Sequence, residues 1–153
     1  MINHTKQAAI YTFAFISLLK TTLTFADMNQ ETLQHHFKTS VISVEAALKQ
    51  QHKPHVTATA FNQLFICNNT NLPAQSGVTL RVSFPQTGLD DQLSTPGSCA
   101  YLTNDYGSFV TQTLIYAPAS SGYVVYNSAI SSGQMWSVTY DAGKNTYPVA
   151  QIQ

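Results

Sequence analysis

The chain reads as mainly β: an amino-terminal amphipathic helix followed by an antiparallel β-sandwich of about seven strands, with one disulfide. Three observations predict this. Val78, Leu80, Val82 and Phe84 alternate with Thr79, Arg81 and Ser83, and Trp136, Val138 and Tyr140 alternate with Ser137 and Thr139; period two is the mark of a half-buried strand. Turn-forming clusters such as Pro73 to Gly77, Thr95-Pro96-Gly97, Pro118 to Gly122 and Asp141-Ala142-Gly143 punctuate everything after Val56. Before that point the period is helical instead.

In chain order, residues 1–26 have the form of a secretory leader. Lys6 opens it, Ala8 to Leu19 carries no charge, and Thr24-Phe25-Ala26 places small residues for cleavage after Ala26. Lys20 cuts the apolar run too short for a membrane span, which needs about 20 residues. The expected location is therefore secreted or periplasmic, with no membrane span after cleavage. Removing Lys6 and Lys20 leaves five basic against seven acidic residues, a charge of about −2 that steers nothing strongly. No basic patch is present of the kind nucleic-acid binding requires.

Residues 27–55 are expected to form a helix and linker. Leu33, Phe37, Val41, Val44 and Leu48 are spaced by 4, 4, 3 and 4, which sets them on one helical face, and Pro54 ends the segment. That stripe would pack on the sheet as core. The same spacing can also serve a short coiled-coil seam, making a homo-oligomer through these five residues the alternative. His35, His36, His52 and His55 all lie here. Adjacent histidines diverge by about 100° on a helix, and no cysteine or carboxylate stands at ligand spacing, so no metal is expected.

The sandwich is expected over residues 56–153. Phe61 to Cys67 is the most apolar run outside the leader. With Phe61, Phe65 and Cys67 on one side and Leu64 and Ile66 on the other, it reads as a central strand covered by the opposite sheet and by the helix. Cys67 and Cys99, 32 positions apart, are expected to pair, since an exported chain meets an oxidising compartment and Cys-x-x-Cys redox spacing is absent. Ser108 to Tyr116 and Tyr123 to Tyr126 supply further strands. Asp141 to Asn145 closes a hairpin, and Pro148 places the last strand, within Thr146 to Ile152, at an edge.

The chemistry on offer is sparse. Beyond residue 55 there is no histidine, no glutamate and no free cysteine once the pair forms. A two-carboxylate hydrolase would need a pair such as Asp90 or Asp91 with Asp105, and these sit in turn-like sequence. No cofactor is expected. What stands out is seven tyrosines and one tryptophan after the leader, interleaved with hydroxyl and amide residues. Such rings bury rigid area at small entropic cost and suit protein or carbohydrate surfaces. The expected function is a non-enzymatic binding protein, with Tyr101, Asn104, Asp105, Tyr106, Tyr123 and Tyr126 as candidate ligand contacts. Asn68-Asn69-Thr70 matches the glycosylation acceptor pattern of a eukaryotic host.

Overall fold

The computed structural model describes residues 36–51, 60–71 and 77–153. The expected leader with its expected cleavage site, Leu33, His35, His52 and His55 lie outside the described residues. Among the described residues nine strands and one short α-helix follow one another: β1 (Phe37–Ser43), α1 (Val44–Gln51), β2 (Gln63–Asn68), β3 (Leu80–Ser83), β4 (Gln92–Ser94), β5 (Ser98–Asn104), β6 (Val110–Tyr116), β7 (Val124–Ser131), β8 (Gln134–Val138) and β9 (Val149–Gln151). They form a five-stranded sheet in the order β1-β5-β2-β8-β9 and a four-stranded sheet in the order β4-β3-β6-β7. No helix among the described residues is long and apolar enough to cross a membrane.

The amino-terminal segment departs from the helical expectation. Phe37–Ser43 is a strand, paired antiparallel with β5 from Phe37 opposite Asn104 to Ser43 opposite Ser98. Thr39, Val41 and Ile42 are β-branched and stiff at χ1, which disfavours helix and favours the pleat. Ser43 then turns the chain: its Oγ accepts from the Ala46 amide at 3.1 Å, the N-cap bond that opens an eight-residue helix. Phe37 and Val41 therefore do not share a helical face with Val44 and Leu48, and the seam proposed for oligomerisation is dispersed. Val44 packs beside the core, while Leu48 is exposed.

Strand β2 is central, as its two apolar faces imply. Leu64 and Ile66 join Leu80, Val82, Leu102 and Ile115 in the core between the sheets. Phe65 and Cys67 form a second cluster with Cys99, Met135 and Ala47, the buried residue of α1. Helix and opposite sheet thus cover the strand from its two sides. Phe61 is the exception: it falls in a 3-10 turn ahead of the strand and is 68% exposed. Cys67 stands directly opposite Cys99 in the ladder, and the two are bonded.

One pairing is parallel. Ser132 and Gly133 form a tight turn that would ordinarily close a hairpin, yet here it carries the chain from the four-stranded to the five-stranded sheet. Gly133, at φ 82°, donates to the Gln63 carbonyl and sends β8 alongside β2 in the same direction. The other pairs of strands are antiparallel, and β9 lies at the edge.

Asn68 ends β2 fully buried. Its Nδ2 donates to the carbonyls of Val78 (2.8 Å) and Ser94 (2.6 Å), and its Oδ1 accepts from the amide and hydroxyl of Thr70. The acceptor tripeptide is thus a structural turn, with the nitrogen that would carry a glycan occupied in the interior.

Two stability outcomes follow from these features. Replacing Cys67 and Cys99 together by alanine opens a loop of about 33 residues and should cost about 3.7 kcal/mol, measured by urea unfolding. Asn68→Ala strips partners from buried carbonyls and should cost about 3 kcal/mol, read by the same assay.

Candidate functional site

The six candidate contacts do not converge. Tyr101 is in β5 rather than a loop, half-buried, and its ring stacks on Phe65 at 5.0 Å under the helix side of the sheet. From Ala100 onward its strand is buried at alternate positions, a pattern the hydroxyl and amide residues of Ser98–Asn104 conceal in the sequence. Asn104 is nearly buried and organises the turn after β5. Its Oδ1 accepts from the Tyr106 amide at 2.7 Å, and its carbonyl accepts from Asn62 Nδ2 at 2.8 Å. Asp105 accepts from Lys38 Nζ at 2.8 Å. Tyr106 is 76% exposed and meets the His36 ring edge-on at 4.0 Å.

Tyr123 and Tyr126 belong to the other end of the molecule. Strand β6 starts just beyond the Tyr106 turn, and its last residue, Tyr116, pairs with Val124. Seven strand residues separate the two ends by about 20 Å. A single small ligand cannot touch both groups.

The end that holds Tyr123 contains a cleft of about 560 Å³. One wall is the connection from β6 to β7, the other the hairpin between β8 and β9, so the cleft opens where the two sheets part. The first wall is built by its own hydrogen bonds. The Ser121 hydroxyl donates to the Pro118 carbonyl at 2.8 Å and accepts from the Tyr123 amide at 3.1 Å, after a cis Ala117–Pro118 peptide. Tyr123 leaves this loop 67% exposed. A β-bulge follows: Ile115 and Tyr116 face Tyr126 and Val124, leaving Val125 as the extra residue, which lines the cleft.

The second wall depends on Asp141. Its Oδ1 accepts from the amides of Gly143 and Lys144, and its backbone exchanges bonds with Thr146, closing the expected hairpin. Asn145, at φ 52°, accepts from the Tyr140 hydroxyl through Oδ1 at 2.9 Å and is one of the residues lining the cleft. Tyr147 completes the lining, tilted against Tyr140 with ring centres 5.2 Å apart. Burial first, and then the neighbouring Tyr140, pushes the Tyr147 phenol above its ordinary value of 10.0. Among the described residues no carboxylate, ammonium, guanidinium or imidazole lines the cleft.

The aspartates weighed for hydrolysis are engaged elsewhere. Asp91 pairs with Arg81 at 3.0 Å, and the Arg81 guanidinium lies 3.6 Å over the Tyr116 ring. Asp105 pairs with Lys38, and Asp90 is an exposed turn residue whose carbonyl accepts from Gln92. Among the described residues no group of three or more His, Cys, Asp or Glu could hold a metal.

Of the residues lining the cleft, Tyr123 was in reach of sequence reasoning. Asn145 and Tyr147 were not, because only the hairpin's return across the sandwich end brings them to it.

Raising the folded-state value of Tyr147 makes stability depend on high pH. The unfolded chain ionises first, so stability is complete below pH 10.0 and falls as pH rises through the folded value. Denaturation followed from about pH 8.5 to about pH 11.5, roughly one and a half units either side of an ordinary tyrosine, should show that fall, and Tyr147→Phe should flatten it.

No family model, curated protein or solved structure matches this chain.

Proposed function

We propose that this chain is an exported, non-enzymatic binding protein whose ligand seat is the cleft between the β6–β7 connection and the β8–β9 hairpin. The observation that carries this reading is the chemistry of the lining: two tyrosines and an asparagine, without any ionised side chain, around about 560 Å³. Ligand sites typically enclose about 300–1,000 Å³ with an apolar lining and a few convergent polar groups. A charged ligand would enter such a cleft without a counter-charge, which is costly. A neutral polar ligand with an apolar face, such as a sugar ring, fits both the phenol faces and the asparagine amide.

This narrows the candidate contacts. Tyr123 stays as a direct contact and Asn145 and Tyr147 join it, while Tyr126, tilted against Trp136 at 5.5 Å, is not among the residues lining the cleft. Tyr101, Asn104, Asp105 and Tyr106 fall outside this reading. The aspartates' ion pairs and turn roles leave no pair of carboxylates on the cleft, which favours binding over hydrolysis.

Isothermal titration against a panel of neutral and acidic oligosaccharides tests the proposal. A neutral member should bind, and Tyr123→Ala should weaken it at least about tenfold, with unfolding unchanged because the side chain is exposed. Binding confined to acidic sugars, or binding indifferent to both Tyr123→Ala and Asn145→Ala, would overturn it.

A further inference from the structure

Two sheets have four edge strands, and proteins ordinarily blunt such edges to prevent pairing with another chain. Three are blunted here. Strands β4 and β9 are three residues long, and Pro148 immediately precedes β9. Strand β1 carries Lys38, held by Asp105. Strand β7 has neither device. Beyond its bulge, Tyr126-Asn127-Ser128-Ala129-Ile130-Ser131 contains no charge and no proline, and Asn127, Ser128 and Ala129 are exposed. Among the described residues its only strand partner is β6.

We propose that the free edge of β7 pairs antiparallel with β7 of a second copy of this chain, joining two four-stranded sheets into one of eight. The occupant follows from the inventory of edges. Pairing needs an extended, uncharged strand of matching length with its backbone groups free, and among the described residues β7 is the edge that qualifies. Antiparallel pairing of a strand with itself is a closed two-fold contact, so the association stops at a dimer. Nothing on the edge repels its own copy.

The side-chain alternation sets the register. Tyr126, Ser128 and Ile130 share the inner side with their β6 partners Ile115, Thr113 and Thr111, and inner residues must face inner residues for the layers to continue. The axis therefore passes midway between one residue and its own copy. Placing it at Ser128 sets Tyr126 opposite the partner's Ile130, an aromatic–aliphatic cross-strand pair, whereas placing it at Ala129 sets Ser128 there instead. The Ser128 register is the better one, and it brings Ser128 opposite the partner's Ser128. This surface is separate from the sugar-binding reading of the cleft and stands without it.

Sedimentation velocity on the full chain, from micromolar to submillimolar protein, tests this. A concentration-dependent dimer is expected. Ser128→Lys sets two ammonium groups face to face and should weaken the dimer at least tenfold, with circular dichroism and unfolding unchanged because the residue is exposed. Ser128→Cys should form a covalent dimer under oxidation, while Leu93→Cys, exposed on the short β4 edge, should not. A wild-type chain that stays monomeric throughout, a dimer that survives Ser128→Lys unweakened, or a dimer that Ser128→Cys fails to cross-link would each overturn the proposal.

Discussion

Burial of β2 on both faces is the constraint from which the rest of the molecule follows. Leu64 and Ile66 need a second sheet opposite, and Phe65 and Cys67 need a cover on the outside. The four-stranded sheet answers the first need and α1 the second, through Ala47. A strand with no solvated side must also satisfy its backbone on both flanks. Strands β5 and β8 do so, one bonded to it through Cys67 and Cys99 and the other parallel to it. The short helix is thus less an appendage than the lid of the second cluster, held at its start by the Ser43 cap and by the Val44 amide on the Gly97 carbonyl.

How much of this was legible depends on whether burial writes itself into local pattern. β3, β6 and β8 were legible because alternation or β-branched runs mark them directly, and β2 because the unbroken apolar run Leu64 to Cys67 leaves no polar face. β5 was not, since Ser98, Thr103 and Asn104 read as loop while the ladder on either side is what buries their neighbours. β1 was misread for a sharper reason. The spacing of Phe37, Val41 and Val44 satisfies a helical stripe, and the strand preference of Thr39, Val41 and Ile42 competes with it; β5 decided the contest by offering a ladder partner. The short strand β4 has too few residues to carry any period at all.

The site was less legible than the fold. Polar aromatics mark surface use in general, but nothing local says which of them meet. Tyr101 is taken up by Phe65, Tyr106 by His36, and Tyr126 by Trp136. The residues that do face one cleft come from two connections, more than 20 positions apart in the chain, joined by the way the sandwich ends close. The electrostatics run the same way. Each of the four ion pairs among the described residues is local to a turn, a helix or a sheet face, and none points a charge at the cleft.

The buried amide of Asn68 makes the order of events matter during synthesis. In a cell that attaches glycans to nascent chains, the modifying enzyme meets Asn68-Asn69-Thr70 while β2 is still unpaired. A sugar added then would occupy the nitrogen that later binds the Val78 and Ser94 carbonyls, and β2 could not close against β3 and β4. Made in such a host, the protein would divide into a bare population that reaches the native state and a modified one retained by quality control. Yield would then report a race between transferase and strand pairing, and a host without that machinery would have no race to run.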